Sequence, residues 1–336
     1  MVRLMLVRHA ESMQNEYMEK VLGKVRTGEI RLEDFNKAMR DGPKGAAAGD
    51  DSPLTSKGHS QAKKFGFSWS KVLREKARTG KLIVFVSPFL RTLQTADPML
   101  QELSKEFHGF SAVLLPHIME AGGLAHKDDF QQMDEISKLM KAGKRDKAVE
   151  LLKSIQWRAQ GLSVTQINKM FPWAKVAEEK DLEILGEKLY KVLPLDSPWW
   201  KSGYETSKRT TKRVREVIEW LLKTVAKNET GATGDDVVVL MFSHGQTIAQ
   251  ICNALSHHAF TRNAQENDGM SFDGIRNTSM TCVFLPSQTY PYSHERPNSN
   301  GERIRYSCRL EFFNDTTHLG VEKLEEFGNT YLGAKL

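Results

Sequence analysis

The stretch "LMLVRHAESMQN", residues 4–15, sets four apolar residues directly before an arginine and a histidine. A short apolar run of this kind is typical of a buried strand. In open α/β sheets, ligands bind outside the carboxyl ends of the strands, where loops and helix N-termini meet. The stretch therefore predicts a first strand near the start of the chain, with Arg8 and His9 at its carboxyl end.

The rest of the chain alternates short apolar runs with longer helical patterns, which is typical of an α/β fold. Further strands are predicted at 81–86, 111–116, 236–242 and 280–286, with an edge strand at 303–313. Helices are predicted at 56–78, 90–107, 204–227 and 246–256. In the second of these helices, Ser87 is the expected N-cap and Pro88 the expected first residue.

Composition narrows the classes of partner. Among 336 residues, 48 are Lys or Arg and 42 are Asp or Glu, and the net charge of +6 favours anionic substrates. The sequence shows no pattern of a nucleic-acid-binding module and no apolar run long enough for a bilayer, so we expect neither partner. The odd, widely spaced set Cys252, Cys282 and Cys308 predicts three thiols rather than disulfides.

Polar groups follow four of the predicted strands directly. Arg8 and His9 follow the first, "SPFLRTLQTA" (87–96) the second, Glu120 the third, and "SHGQ" (243–246) the fourth. Each group alone has an ordinary structural explanation, such as a hydrogen-bonded histidine or a surface arginine. Four together at one edge of a sheet indicate a catalytic site.

These residues carry a resemblance to a known family. "LVRHAES" with Asn15, "PLTSKGHSQA", "SPFLRTLQTA", a later glutamate and "FSHG" resemble, in this order, the histidine phosphatase superfamily, branch 1. That branch includes cofactor-dependent phosphoglycerate mutases and phosphatases of small molecules and proteins. The resemblance covers residues 1–15, 53–125, about 202–255 and, with less force, 276–319.

The resemblance implies a phosphoglycerate mutase-like α/β fold with three layers, α/β/α, around a mostly parallel sheet. The whole chain, 1–336, would form one such domain. Residues 16–52 and 126–200 lie outside the resemblance and are expected to be helical insertions. We expect the second insertion to lie as a cap over the site.

The resemblance also implies a reaction. His9 would attack phosphorus and form a phosphohistidine, which divides one difficult displacement into two easier ones. Glu120 would protonate the leaving oxygen and then act as a base for water. Asp128 and Asp129 are alternatives for this acid, and His117 and His126 lie close in sequence. No metal and no cofactor are expected.

The remaining site residues would bind the phosphoryl group. Arg8 and Arg91 suit this because a guanidinium group can donate to two phosphate oxygens at once. His244 would complete the set, Asn15 would be a further donor, and Gly245 would permit close approach of the backbone.

The sequence departs from the family in two ways. Ala10 stands where the family usually has glycine, which adds a methyl group close to the phosphate. The basic and aromatic residues that follow the acid in phosphoglycerate mutases have no counterpart in "MEAGGLAHKDDF". Hydrolysis of a phosphorylated small molecule or a phosphoprotein is therefore favoured. Mutase-type phosphoryl transfer and a non-catalytic phosphate-binding or scaffold protein are the alternatives.

Three further features stay open from sequence. Trp199 and Trp200 are suited either to core packing or to a pocket wall. Glu205 and Arg213 are suited either to a structural salt bridge or to substrate contact. The ending Ala334, Lys335, Leu336 resembles the peroxisomal address S-K-L, so the expected location is the cytoplasm or a peroxisome or glycosome.

Overall fold

The computed structural model describes twelve parts of the chain: 2–47, 49–124, 127–154, 161–176, 196–200, 205, 207–221, 237–260, 277–285, 290–291, 304–305 and 309–315. Several predictions lie outside these residues, namely those on His126, on Cys308, on the end of the helix predicted at 204–227 and on Ala334, Lys335 and Leu336. For Asp128 and Asp129 only the backbone is described.

Nine strands occur in the described residues. They are β1 (Val2–Arg8), β2 (Leu82–Val86), β3 (Ala112–Leu114), β4 (Ala174–Lys175), β5 (Val237–Ser243), β6 (Met280–Leu285), β7 (Tyr290–Pro291), β8 (Ile304–Arg305) and β9 (Arg309–Asp315). Seven of them form one sheet in the order β4-β3-β2-β5-β1-β6-β9, and β7 pairs with β8. From β4 to β1 every pairing is parallel, whereas β6 is antiparallel to both β1 and β9. The central sheet is therefore mostly parallel, as predicted.

Nine α-helices accompany these strands in the described part of the chain. They are α1 (Met13–Arg26), α2 (Phe35–Arg40), α3 (Ser56–Arg78), α4 (Leu90–Glu106), α5 (Lys127–Lys141), α6 (Arg145–Ser154), α7 (Val164–Met170), α8 (Ser207–Trp220) and α9 (Gly245–Phe260). Short 3-10 turns occupy Leu32–Asp34 and Pro116–Ile118. Among these residues, no helix combines the length and hydropathy needed to cross a bilayer.

Helices cover both faces of the sheet. Alternate residues of β5 point to opposite faces, so Val239 packs with α8 and α9 while Leu240 packs with α3 and α4. The strand is buried along its whole length, because a parallel strand covered on both faces exposes neither side to water. The fold is thus a three-layer α/β/α arrangement, and the predicted class is confirmed.

Helices occur in both segments expected to be helical insertions, whereas the strand β4 was not predicted. Helices α1 and α2 occupy much of the segment 16–52, and β4 extends the sheet beyond β3. Within 126–200, Ile167 and Trp173 join the same core as α3 and α4, whereas Ile136 packs in a small separate cluster between α5 and α6. The single domain and the cap over the site stay predictions.

The start of α3 holds the loop after β1. Thr55 donates its backbone N–H to the carbonyl oxygen of Glu11 at 3.0 Å, and the Gln61 side chain accepts from the Glu11 N–H at 2.9 Å. A Cβ atom at Gly58 would overlap that same Glu11 carbonyl oxygen. The glycine of "TSKGH" therefore lets α3 approach the loop that carries His9.

We predict that Gly58→Ala destabilises the protein by about 1–3 kcal/mol, because the added methyl group forces the Glu11 loop away from α3. Urea unfolding monitored by circular dichroism measures the change. Gly23→Ala in α1 is the matched control, since a Cβ there meets nothing within 4 Å and alanine is the better helix former. Equal stability of wild type and Gly58→Ala would contradict this account of the packing.

Candidate active site

The two histidines meet because β1 and β5 end at the same edge of the sheet. In the parallel register Arg8 lies opposite Ser243, so His9 and His244 both follow directly after paired strand ends. The His9 N–H donates to the Ser243 carbonyl at 3.0 Å, and the two imidazole rings lie 5.2 Å apart between centroids. The edge predicted from sequence thus brings both rings into one site.

His9 is oriented by its own loop. Its Nδ1 lies 2.8 Å from the carbonyl oxygen of Ala10, and because a carbonyl can only accept, Nδ1 carries the proton. The next amide is fixed as well, since the Ala10 N–H donates to Thr95 Oγ1 at 2.9 Å. These contacts leave Nε2 of the buried His9 ring as the atom with a free lone pair.

The methyl group of Ala10 is accommodated within the core. Ala10 is fully buried and packs with Leu54 and Ala62 in a small apolar cluster. The methyl group that Ala10 has in place of the family's usual glycine therefore lies in this cluster, where it adds apolar contact with α3.

His244 is held from the second strand. Its Nε2 lies 2.9 Å from Ser87 Oγ, and the Phe89 ring packs edge-on against it with 4.8 Å between centroids. The Ser87 hydroxyl therefore orients an active-site ring instead of capping α4, so the predicted N-cap was wrong.

The N-cap residue of α4 is Phe89, and the carboxylate of Asp51 accepts from the first N–H of the helix in place of Ser87. Helix α4 begins at Leu90, and the Leu90 N–H donates to Asp51 Oδ1 at 2.7 Å. Asp51 lies in the segment 16–52, far from α4 in sequence. A pattern confined to residues 87–96 could not reveal this contact.

Arg91 is a buried cation with unused donors. Its guanidinium lies over the Phe89 ring at 4.4 Å, and its Nη2 is 3.6 Å from Glu120 Oε2. Nε and Nη1 of Arg91 are buried and have no hydrogen-bond partner among the described residues. Buried polar groups are nearly always paired, so these donors point to a site built for an acceptor.

Arg8 lies beside the start of α9. A Cβ on Gly245 would be 3.3 Å from Arg8 Nε, closer than ordinary van der Waals contact. The predicted close approach at Gly245 is therefore an approach to Arg8, and it lets this guanidinium lie next to the helix N-terminus.

Glu120 follows β3 and lies against both Arg91 and His244. Its Oε2 is 3.5 Å from His244 Nδ1, and its side chain keeps 23% of its exposure. Ligand atoms of His9, Glu120 and His244 all lie within 4.8 Å of one another. The structure therefore brings together the predicted nucleophile, the second histidine and the predicted acid.

A set of two histidines and a carboxylate has the composition of a metal site. Here, however, the buried guanidinium of Arg91 lies against the same carboxylate and Arg8 lies close by. Positive charge of this kind opposes a cation and attracts an anion. The electrostatics favour phosphate over a metal, and the expectation that no metal is used stays a prediction.

Burial and neighbouring cations lower both imidazole pKa values. For His9 the pKa falls well below its usual value, mainly through burial and then through the charges of Arg91 and Arg8. For His244 burial again dominates, followed by Arg91. Both rings are therefore neutral at pH 7 in the unliganded protein, which is the form that a nucleophile requires.

The other residues singled out from sequence make local or core contacts, and the phosphate-binding role of Asn15 stays a prediction. Asn15 is the third residue of α1, and its Oδ1 accepts from Ser12 in a capping box. Trp199 and Trp200 are buried in the core beside Phe89. They support the wall behind the site by packing.

Part of the chain matches a known protein family. The model of the histidine phosphatase superfamily (branch 1) matches residues 4–161, which confirms the resemblance there. The match includes 16–52 and the first part of 126–200, which we had expected outside it, and it ends before His244. No match was found among curated proteins.

Three solved structures illustrate the likeness. A mycobacterial glucosyl-3-phosphoglycerate phosphatase with inorganic phosphate is 16% identical, with 95% of this chain and 99% of that chain covered at a TM-score of 0.42. A phosphoglycerate mutase from Bacillus anthracis is 16% identical, with 95% of each chain covered and a TM-score of 0.42. The ecdysone phosphate phosphatase from Bombix mori with tungstate is 14% identical, with 89% and 99% covered and a TM-score of 0.43.

We predict that Arg91→Met raises the pKa of both His9 and His244, because it removes a positive charge that disfavours the imidazolium form. Titration of the histidine ring carbons by NMR measures both values. Lys212→Met, which removes an exposed cation on α8, is the control and should leave the two titrations in place. A fall of either value in Arg91→Met would contradict the electrostatic account.

We predict that Asp51→Asn stabilises the protein at pH 7.5 but not at pH 4.5. Burial raises the pKa of Asp51 from 3.8 to about 6, so the native state disfavours the ionised form and loses stability as pH rises through that range. Asparagine can still accept from the Leu90 N–H. The expected rise in Tm is about 1–2 °C for each kcal/mol of stability gained.

Thermal unfolding at the two pH values measures the effect. Asp146→Asn, at an exposed position in the first turn of α6, is the control and should follow the pH dependence of the wild type. A gain for Asp51→Asn that is the same at both pH values would show that ionisation of Asp51 is not its cause.

Proposed function

We propose that this chain, whose residues 4–161 match the histidine phosphatase superfamily, is a metal-independent phosphatase. It hydrolyses phosphomonoesters of small molecules or proteins through a phosphohistidine on His9, with Glu120 as general acid and base. The net charge of +6 is compatible with such anionic substrates.

The unused buried donors around His9 carry this proposal. Nε and Nη1 of Arg91 and Nδ1 of His244 are buried without hydrogen-bond partners in the described part of the structure. A phosphoryl group brings a charge of about −1.5 to −2 and three acceptor oxygens. Its oxygens would satisfy these donors and balance the charges of Arg8 and Arg91, while its phosphorus would face Nε2 of His9.

In the first step His9 Nε2 attacks phosphorus. The N–P bond forms as the P–O bond to the leaving group breaks, and Glu120 donates its proton to the leaving oxygen. Nδ1 keeps its proton and its hydrogen bond to the carbonyl of Ala10, so the imidazole remains oriented as Nε2 becomes phosphorylated. Arg8 and Arg91 stabilise the equatorial oxygens as charge is redistributed.

In the second step water attacks the phosphohistidine. Glu120, now ionised, accepts a proton from the water as the new P–O bond forms and the N–P bond breaks. Its 23% exposure provides access from solvent. His244 can donate through Nδ1 to a phosphoryl oxygen when Ser87 Oγ donates to its Nε2. Inorganic phosphate is released, and the unmodified His9 is regenerated.

The test is phosphate release from 4-nitrophenyl phosphate in the presence of EDTA. We expect turnover by the wild type and a loss of turnover to background in His9→Ala, because no nucleophile remains. His59→Ala on α3 removes an exposed imidazole and should retain activity. Acid-labile, alkali-stable phosphate on His9, detected by mass spectrometry after rapid quenching, would identify the intermediate.

The alternatives give other results. Turnover that EDTA abolishes would overturn the metal-free mechanism. Binding of inorganic phosphate without turnover of any phosphomonoester would indicate a phosphate-binding protein. Transfer within a bisphosphate-primed substrate, with little free phosphate, would indicate a mutase.

A further inference from the structure

Three successive carbonyl groups before Glu120 are each held by a side chain from another element. Arg213 Nη1 on α8 donates to the carbonyls of His117 and Met119. Ser243 Oγ donates to Ile118 O at 2.7 Å, and Thr247 Oγ1 donates to Met119 O at 2.6 Å. The backbone that leads into Glu120 is therefore fixed from α8, β5 and α9 at once.

Glu205 holds Arg213 and also the turn beyond Glu120. Its carboxylate accepts from Arg213 Nε at 2.9 Å and from Nη2 at 2.7 Å, and Thr210 Oγ1 donates to it at 2.8 Å. The Glu205 N–H donates to the carbonyl of Gly122 at 2.9 Å. The Glu205–Arg213 pair therefore holds the backbone on both sides of Glu120 by hydrogen bonds.

This ion pair is buried, with Glu205 7% and Arg213 8% exposed. A buried ion pair is often no more stabilising than apolar residues of similar volume, although removal of one partner is costly. Stability alone is therefore a weak reason for placing two charges here. Their hydrogen bonds instead converge on the backbone around Glu120.

The carboxylate of Glu120 is itself held loosely. Its contacts to Arg91 and His244 are 3.6 and 3.5 Å, and its Oε1 accepts from the Ala121 N–H at 3.2 Å. Hydrogen bonds of normal length to charged groups are shorter than this. The position of the carboxylate against the site therefore depends on the backbone that carries it.

We propose that Arg213, held by Glu205, is a positioning residue for Glu120. Its bonds to the carbonyls of His117 and Met119 set the distance of the acid from the leaving oxygen of the substrate. This inference rests on the proposed function, in which Glu120 is the general acid. It gives the salt bridge a role in the reaction without substrate contact.

The test compares two substrates that differ in their need for an acid. The leaving group of 4-nitrophenyl phosphate departs without protonation, whereas the alkoxide of an alkyl phosphate requires it. We expect Arg213→Lys to lower kcat/KM for the alkyl phosphate by about 10²-fold, as for a misplaced catalytic group. The value for 4-nitrophenyl phosphate should change little. Arg215→Lys, exposed on the same helix, is the matched control.

Two more variants separate positioning from a general loss of structure. Glu120→Gln should show the same selective loss, and adding Arg213→Lys to it should cause no further loss. Thr247→Val removes one hydrogen bond to the Met119 carbonyl while leaving the Glu205–Arg213 ion pair intact. It therefore tests whether the backbone before Glu120 positions the acid, even if Arg213→Lys does not fold. It should give a smaller loss that is again selective for the alkyl phosphate.

The outcomes are distinct. If Arg213→Lys and Thr247→Val lower kcat/KM equally for both substrates while Glu120→Gln is selective, the positioning role is overturned and the phosphatase proposal stands. If Glu120→Gln itself shows no selectivity, Glu120 is not the general acid, and both its proposed role and the positioning role of Arg213 are overturned. Selective loss in all three variants, without additivity, supports the inference.

Discussion

The parallel pairing of β1 with β5 is the constraint on which the site depends. In the observed register the last residues of the two strands, Arg8 and Ser243, lie opposite each other. A shift by one residue would turn every side chain of β1 to the other face of the sheet. It would bury the alternate apolar residues on the wrong side and separate His9 from His244. The packing of the core and the geometry of the two histidines are thus set by the same hydrogen bonds.

Charge burial is the second organising feature. The guanidinium groups of Arg8 and Arg91 are desolvated, which lowers the pKa of each. Their charges in turn help to keep His9 and His244 neutral. Nε and Nη1 of Arg91 have no hydrogen-bond partner among the described residues, and an anion has the acceptor atoms that such donors require. The same buried cations thus favour an anion and keep the two imidazole rings neutral.

The sequence predicted the parts of the molecule that depend on local pattern. Buried strands have continuous apolar sequences, so β1, β2 and β5 could be predicted, together with the histidines that follow β1 and β5. The two residues of β4 are too few to form a pattern. The contacts of Ser87, Asp51 and Thr95 depend on which distant segments pack together, and no spacing along the chain encodes them. Local preference gave Ser87 a capping role, but the proximity of His244 decided its actual contact.

The order of strands in the sheet also affects how the chain folds. The two neighbours of β1 in the sheet are β5 and β6, which come after β2, β3 and β4 in the chain and end at Ser243 and Leu285. The backbone N–H and C=O groups along both edges of β1 therefore find their partners only when long segments of the chain have been brought together. Such long-range pairing slows folding and leaves strand edges open to wrong partners. The neighbouring positions of His9 and His244 are therefore reached only once β1 has paired with the distant β5.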